Sequence, residues 1–257
     1  MSQPVIAAQL FTIRDYTETP EDIAQSMKKI KEMGYNAVQV SGFGPIEHQQ
    51  VKDIMDSQGL TICATHIGFD RLQNDLEDVI EQHKLWNCKY VGLGSMPAEY
   101  ATSRDGYIAF AKEASEIARK LADNGLRFIY HNHHFEFMKF DGVTGMEILF
   151  EETDPEVFDF ELDTYWIQAG GANPVDWIYK VKGRMKVIHF KDMGVSSERQ
   201  VIMTEVGEGN LNWPAIIQAC KETGVEWCPV EQDICQRNPF ESLAISLENL
   251  KKLGLQA

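Results

Sequence analysis

The sequence predicts a single closed α/β barrel, the (β/α)8 or TIM barrel, over residues 1–257. Short apolar runs alternate with amphipathic stretches along the whole chain, and several amphipathic stretches end at a glycine just before the next apolar run. A length of 257 residues also agrees with this fold, which typically takes about 250 residues. Because no linker or low-complexity stretch divides the repeating unit, we expect one domain.

Eight apolar runs are predicted as the strands. Each is too short for a helix and rich in Val, Ile, Phe and Tyr, which is typical of buried parallel strands. The runs are Val5–Phe11, Ala37–Val40, Leu60–Ala64, Tyr90–Leu93, Arg127–Tyr130, Val157–Leu162, Lys186–Phe190 and Glu226–Val230.

The stretches between these runs carry helical signals. Pro20–Met33 has apolar residues three and four positions apart, with Thr19 as N-cap and Pro20 in the first turn. Tyr107–Asp123 and Trp213–Thr223 follow the same pattern. Glycine tolerates the left-handed conformation that ends a helix. The glycines predicted to do so are Gly34, Gly59, Gly125, Gly183 and Gly224.

A doubly wound open sheet is the competing architecture. Such a sheet usually carries a glycine-rich phosphate loop after its first strand. Here the first apolar run is followed by Thr12-Ile13-Arg14-Asp15, which contains no glycine. The closed barrel is therefore favoured.

Charge and composition exclude several classes of function. The chain has 24 Lys and Arg against 39 Asp and Glu, a formal charge of −15, which repels nucleic acids and anionic membranes. Five cysteines without a CxxC pair indicate reduced thiols. We expect a cytoplasmic protein, although a signal peptide removed earlier would leave no trace, and a homodimer is the default expectation for assembly.

Polar side chains gather where five of the predicted strands end. In TIM barrels the C-terminal ends of the strands line the active site. The residues concerned are His66, His131, His133, Glu136, Asp163, His189, Lys191 and Glu231.

Several of these side chains are expected to converge on a metal ion. Alternate residues of a strand share a face, so His131 and His133 point together. Neighbouring strands then bring them near Asp163, His189 and Glu231. Mixed imidazole and carboxylate donors favour Mn²⁺, Co²⁺, Zn²⁺, Fe²⁺ or Ni²⁺ over Ca²⁺, and Mg²⁺ also remains a candidate.

The strand ends resemble those of the sugar phosphate isomerase/epimerase family, the xylose-isomerase-like barrels. The resemblance covers nearly the whole chain. Its most specific parts are Leu162-Asp163 with Thr164-Tyr165-Trp166, His189-Phe190-Lys191-Asp192, Gly207-Glu208-Gly209 with Asn212-Trp213, and Glu231.

The resemblance implies a divalent ion held by a carboxylate on strand five, an Asp on strand six, a His on strand seven and a Glu on strand eight. Asp163, His189 and Glu231 match three of these positions. On strand five His131 stands where the family has a glutamate, and Glu136 is an alternative ligand further along. The Tyr-His-x-His run is similar to the inosose-dehydratase-like branch.

The substitution on strand five affects the expected mechanism. In the epimerases of the family, the glutamates of strands five and eight are also the paired acid and base. We therefore consider His133 or Glu231 as the base, because a neutral imidazole suits proton abstraction near neutral pH. Lys191 is expected to stabilise a developing oxyanion, or else to pair with Asp192 or Glu231.

Substrate contacts are assigned to four further residues. His66 is expected to hydrogen-bond a substrate hydroxyl, and Glu136 to reach the ion or the substrate. Glu208 lies in a Gly-Glu-Gly loop that is expected either to cap the mouth or to form a plain turn. Trp166, with Trp177 and Trp213, either forms the wall of a sugar pocket or belongs to the core. His134 is expected to face away from the site.

The leading hypothesis is a metal-dependent isomerase or epimerase of a small sugar, acting by proton abstraction next to a carbonyl. A lyase or dehydratase acting on a keto-sugar or inosose is the closest alternative, favoured by His131. A sugar-binding barrel without catalysis is a third reading. DNA repair, the function of some related barrels, is disfavoured by the charge. A neutral sugar is favoured over a sugar phosphate because strand eight runs into the acidic residues Glu231 and Asp233.

Overall fold

The computed structural model describes residues 3–257. Eight parallel strands close into a barrel in sequence order, with the last strand beside the first. This confirms the predicted (β/α)8 fold. The strands are β1 (Val5–Gln9), β2 (Ala37–Val40), β3 (Thr61–His66), β4 (Tyr90–Leu93), β5 (Arg127–His131), β6 (Phe158–Asp163), β7 (Val187–His189) and β8 (Trp227–Val230).

Helices surround this barrel. They are α1 (Pro20–Met33), α2 (His48–Gln58), α3 (Phe69–Asn74), α4 (Leu76–Trp86), α5 (Arg104–Asp123), α6 (Gly145–Glu152), α7 (Thr164–Ala169), α8 (Pro174–Lys180), α9 (Trp213–Thr223) and α10 (Pro239–Lys252). Short 3-10 helices cover Leu10–Tyr16, Tyr100–Thr102 and Phe135–Phe137, and two-stranded hairpins pair Lys139–Phe140 with Val143–Thr144 and Asp192–Val195 with Val201–Thr204.

The predicted helix signals act as expected. Helix α1 begins after Thr19, whose side chain accepts a hydrogen bond from the backbone N–H of Asp22, and ends at Gly34 in the left-handed conformation. The other four predicted helix-ending glycines also have positive φ. Each of them turns the chain from a helix towards the next strand.

Six of the eight strands differ from the prediction at one or both ends, and three of these differences concern the site. Strand β1 stops at Gln9 rather than Phe11, because the Gln9 side chain accepts a hydrogen bond from the N–H of Phe11 and starts a 3-10 helix. Strands β3 and β6 instead run on to His66 and Asp163. A polar side chain is tolerated at the end of a barrel strand when other groups at the mouth of the barrel form hydrogen bonds with it.

Two layers of core support the site. The barrel interior below the polar strand ends is filled by a small cluster that includes Ala7, Ala37, Tyr90 and Val187. A much larger core lies between strands and helices and contains Trp213 and Trp177, so the core reading of these two tryptophans is correct. All five cysteines are free, and four of them are buried.

Among residues 3–257, no helix combines the length and the apolar character that crossing a membrane requires.

Candidate metal centre and reaction cavity

Four side chains meet at the C-terminal mouth of the barrel. His131, Asp163 and His189 end strands β5, β6 and β7, and Glu231 follows β8. All four are buried, and one ligand atom from each lies within 4.8 Å of the others. The structure thus brings together the four residues that the sequence predicts as metal ligands.

Strand register explains this convergence. Asp163 on β6 pairs directly with His189 on β7, and Phe190 bridges to Val230 on β8. His131 Nε2 lies 3.3 Å from an Asp163 oxygen, and His189 Nδ1 lies 3.0 Å from a Glu231 oxygen. Two imidazoles and two carboxylates at this separation fit a divalent transition metal.

Hydrogen bonds orient both imidazoles. Nδ1 of His131 lies 3.0 Å from the carbonyl oxygen of Gly94, so this nitrogen donates and Nε2 faces Asp163. Nε2 of His189 lies 2.8 Å from Oε1 of Gln39, so Nδ1 faces Glu231. Each ring therefore directs an unprotonated nitrogen towards the cluster when it is neutral.

A further acidic residue, Glu161, lies beneath this cluster and was not predicted from the sequence. It is fully buried and accepts hydrogen bonds from His66 Nε2 at 2.7 Å and from Gln39 Nε2 at 2.9 Å. Its other close neighbour is His189 Nε2, 3.4 Å away. The available signal was its position two residues before Asp163, since alternate strand residues share a face.

The charges of this network shift several pKa values. Burial alone would raise the pKa of Glu161, but the imidazoles of His189 and His66 hold it below its ordinary range. Burial alone would lower the pKa of His189, but Glu161 and Glu231 raise it to about 10. The pKa of Asp163 is lowered, against the effect of burial, chiefly by Lys191 and His131.

Lys191 joins the cluster from the strand end after β7. Its fully buried ammonium group lies 3.1 Å from Asp163, 2.8 Å from Glu231 and 2.6 Å from Asp233. These three carboxylates raise its pKa above the usual range although burial acts in the opposite direction. The predicted ion pair with Glu231 is present.

Asp192, the other partner predicted for Lys191, has a different role. Its buried carboxylate accepts hydrogen bonds from the backbone N–H groups of Gly207, Gly209 and Leu211 and from Trp213 Nε1 at 2.6 Å. A Cβ atom at Gly209 would lie only 2.4 Å from Asp192 Oδ1. The Gly-Glu-Gly loop therefore wraps a carboxylate too closely for a side chain.

A cavity of about 320 Å³ opens above the cluster. Its lining includes His66, His131, His133, Glu231 and Asp233. Two larger hollows, of about 650 and 760 Å³, contain none of the predicted site residues. The cavity over the cluster is accordingly the candidate place for a substrate.

His133 lies at the side of this cavity. Its ring centroid is 4.9 Å from that of His131, which agrees with the prediction that the two rings point together. Its buried Nδ1 has no hydrogen-bond partner among residues 3–257. Burial, followed by the charges of His131 and Lys191, lowers its pKa to about 3, so the ring is neutral.

Trp166 covers Lys191 rather than lining the cavity. The Lys191 Nζ atom lies 5.2 Å from the centroid of the Trp166 ring, a distance at which a cation is attracted to an indole face. The exposed ring of His134 stacks on Trp166 at 5.1 Å. His134 is thus outside the site, as predicted.

Two predicted contacts are corrected by the structure. Glu136 is fully buried, and its carboxylate accepts from the Tyr130 hydroxyl at 2.8 Å and from the backbone N–H of His133 at 2.9 Å, outside both the ligand cluster and the cavity lining. Glu208 is exposed and bonds Asn249 on α10, so the Gly-Glu-Gly loop does not cap the mouth. Both misassignments came from loops whose path is not encoded by strand alternation.

The geometry of the site agrees with the similarity of this chain to known proteins. A family model described as the xylose isomerase-like TIM barrel matches residues 27–253. The chain belongs to this family. An inosose dehydratase from Lacticaseibacillus casei is 26% identical over 156 residues, covering 53% of this chain and 51% of the relative. The match therefore spans about half the length of that curated relative.

Several solved structures share the fold of this chain. A sugar phosphate isomerase/epimerase from Parabacteroides distasonis has a TM-score of 0.82 at 22% identity, covering 99% of this chain and 96% of that one. A probable 3-DHS dehydratase from Bacillus anthracis has a TM-score of 0.73 at 15% identity, covering 97% and 99%. The family resemblance inferred from the strand-end motifs is confirmed, and these structures extend it to the fold of the whole chain.

Proposed function

We propose that this chain is a divalent-metal-dependent isomerase or epimerase of a small sugar or keto-sugar, acting by proton abstraction next to a carbonyl. The observation that carries the proposal is the meeting of His131, Asp163, His189 and Glu231 next to one cavity, which His131 and Glu231 line. These four residues would hold the ion. When bound, a divalent ion stabilises negative charge on substrate oxygens.

The buried charges support a divalent cation at this place. Asp163, Glu231 and Asp233 all lie within ion-pair distance of a single ammonium group, that of Lys191. Buried carboxylates require compensating positive charge. With the imidazoles neutral, as metal ligands must be, three carboxylates and one ammonium group leave a net charge of −2, which a divalent cation would balance.

His133 is the candidate base. Its ring lines the cavity, and its buried Nδ1 has no hydrogen-bond partner among the described residues, which leaves this nitrogen available to a substrate. Lys191 is held where its ammonium would stabilise negative charge developing on a substrate oxygen. His66 lines the same cavity and would donate or accept a hydrogen bond with a substrate hydroxyl.

Dehydration is a second candidate, favoured by the imidazole at strand five. The paired glutamates implied for epimerases of the family are reduced to one, because His131 occupies the strand-five position. Elimination needs one base: the proton leaves the carbon beside the carbonyl, the bond to the β-hydroxyl breaks, and that oxygen leaves as water after protonation. The named dehydratases among the relatives support the same alternative.

The test combines metal content with proton exchange. Elemental analysis of the purified protein is expected to find near-stoichiometric Mn, Co, Zn, Fe, Ni or Mg, which is lost in Asp163→Ala and retained in the exposed control Asp123→Ala. Incubation with keto-sugars and inososes in D2O, followed by NMR, should reveal deuterium next to the carbonyl. Isomerisation or epimerisation yields a product of equal mass apart from deuterium, whereas dehydration yields a product lacking water.

Two results would overturn the proposal. One is wild-type protein that binds none of the six ions even after separate soaking. The other is metal-loaded protein that catalyses no exchange and no turnover across the substrate panel, which would favour a sugar-binding barrel.

A further inference from the structure

A second pocket adjoins the reaction cavity on the side of strands β2 and β3. It encloses about 210 Å³ and shares Ser41, His66 and Ile67 with the lining of the cavity. Its outer wall comes from helices α2, α3 and α4. A substrate seated over the metal centre would therefore have room for a substituent beside His66.

The side chain of Gln82 faces this side pocket. Gln82 on α4 is only 3% exposed and lines the pocket, and its amide makes no hydrogen bond to any of residues 3–257. The polar atoms of this amide are not sealed inside the protein, because they face the open space of the pocket. A carboxylate bound there would accept a hydrogen bond from the amide N–H.

Arg71 supplies the positive charge of the side pocket. Its Nη2 atom pairs with Asp78 and lies 3.4 Å from Nε2 of His48. These contacts anchor the guanidinium at one corner, and its remaining N–H groups bond none of residues 3–257. A planar guanidinium with free donors matches the geometry of a carboxylate.

The charge of the side pocket differs from that of the cavity and of the whole chain. No Asp or Glu is among its lining residues, although the chain carries a formal charge of −15. The neighbouring cavity is lined by Glu231 and Asp233. Arg71 is thus the charged side chain that this pocket offers to an anionic substituent, while Asp78, which pairs with Arg71, offsets part of its charge.

We propose that the side pocket binds a carboxylate of the substrate, through Arg71 and Gln82, while the reacting carbonyl lies over the metal centre. The substrate class is then a sugar acid or a carboxylated cyclic polyol rather than a neutral sugar. The inference rests on the proposed function for the position of the reacting carbon. It departs from the neutral sugar favoured by the sequence, because the acidic residues of strand eight and the arginine of α3 serve different parts of one ligand.

Matched probes test this proposal directly. Glucose and glucuronate, galactose and galacturonate, and mannose and mannuronate differ only at C6, and their binding to the purified holoprotein can be compared by calorimetry. At least one hexuronate is expected to bind about tenfold or more tightly than its hexose, the size of one hydrogen bond to a charged group. Equal affinities in all three pairs, or no binding of any hexuronate, would overturn the proposal.

Variants test which residues cause the preference for a hexuronate over its hexose. Arg71→Met and Gln82→Leu are expected to reduce it, Arg71→Met to within about twofold of parity, whereas Arg71→Lys restores part of it. The controls Arg119→Met and Gln218→Leu remove an arginine and a glutamine that bond only to Asp154 and Glu222 elsewhere on the surface, and should leave the preference intact. An undiminished preference in a folded Arg71→Met protein contradicts the assignment.

Metal content separates this test from that of the proposed function. Arg71 and Gln82 lie outside the ligand cluster, so both variants should bind the metal as the wild type does. Metal-loaded wild type without a hexuronate preference overturns the side-pocket proposal alone. Wild type that binds no metal but retains a hexuronate preference lost in Arg71→Met overturns the proposed function and leaves the carboxylate site in place.

Discussion

Gln39 lies between His189 and Glu161 and bonds both. Its carbonyl oxygen is 2.8 Å from His189 Nε2, and its amide nitrogen is 2.9 Å from Glu161 Oε1. The contact with Glu161 fixes the orientation of the amide, because a carboxylate accepts only from the nitrogen. Gln39 thereby determines which imidazole nitrogen of His189 faces the predicted ion.

Replacing Gln39 should therefore weaken metal binding without removing a ligand. Gln39→Leu is expected to lower metal affinity about 10- to 100-fold, the usual effect of losing a partner that orients a ligating histidine. Competition against a chromophoric chelator measures the change. The exposed control Gln49→Leu should bind the metal as the wild type does, and equal affinities of all three proteins would argue against the orienting role.

Lys191 should be critical for stability of the metal-free protein. Lys191→Met leaves the carboxylates of Asp163, Glu231 and Asp233 without their shared cation, and removing one partner of a buried ion pair typically costs about 3–5 kcal/mol. The free energy of unfolding in urea, measured after chelation, should fall by this amount. The exposed control Lys84→Met is expected to change it by less than about 0.5 kcal/mol.

Metal should partly restore the stability of Lys191→Met. A divalent cation supplies positive charge to the same carboxylates, and any ligand that binds only the folded state stabilises it. The gain in melting temperature on adding metal is expected to be at least as large in the variant as in the wild type. A variant that gains nothing would show that Lys191 is needed for the ligands to assemble.

The raised pKa of Glu136 predicts that the stability of the protein depends on pH. Burial raises its pKa from 4.5 to about 7 in the folded state, so between these values the folded protein holds a proton that the unfolded chain has lost. This contribution to stability is present below about pH 4.5 and is lost as pH rises through 7. It amounts to about 3 kcal/mol at 1.36 kcal/mol for each pKa unit.

The variant Glu136→Gln tests this linkage. It cannot titrate, so the difference in unfolding free energy between wild type and variant should shift against the wild type as pH rises from 4.5 to 7. The exposed Glu208→Gln protein is the control, and its difference from the wild type should stay constant. A wild-type curve parallel to that of Glu136→Gln would contradict the raised pKa.

Asp192 should stabilise the loop after strand β7 rather than act on the substrate. In Asp192→Asn an amide N–H group would face the N–H donors of the Gly207–Leu211 loop, leaving buried donors unsatisfied, so a loss of about 2–4 kcal/mol is expected. Urea unfolding measures it against the exposed control Asp123→Asn. Hydrogen exchange localised to residues 207–211 should rise in the variant as well.

Strand alternation explains which parts of the site could be predicted. His131, Asp163, His189 and Glu231 stand where apolar runs give way to polar residues, and parallel strands in a barrel place all such ends at one mouth. Gln39 was overlooked because it lies within an apolar run, between Val38 and Val40. A polar residue inside a strand requires a buried partner, and that partner is on another strand far away in sequence.

The positions of loop residues could not be predicted from strand alternation. Glu136 lies in a short 3-10 helix after β5. The loop at Glu208 folds around Asp192 instead of over the cavity. Side pockets are equally invisible to the sequence. Arg71 and Gln82 belong to separate helices, and the packing of α3 against α4, which is bonded to β3, brings them to one pocket.

The hairpin after Asp192 has consequences for how this barrel can diversify. Its base is fixed at both ends: Asp192 pairs with Thr204 across the hairpin, and the next residue, Glu205, accepts a hydrogen bond from Ser242 on α10. Its tip is free of the core, with Val195 and Val201 about 60% exposed. Segments of other lengths could therefore be exchanged between these two anchors without displacing His189 or Lys191, so the length of this hairpin can vary independently of the site.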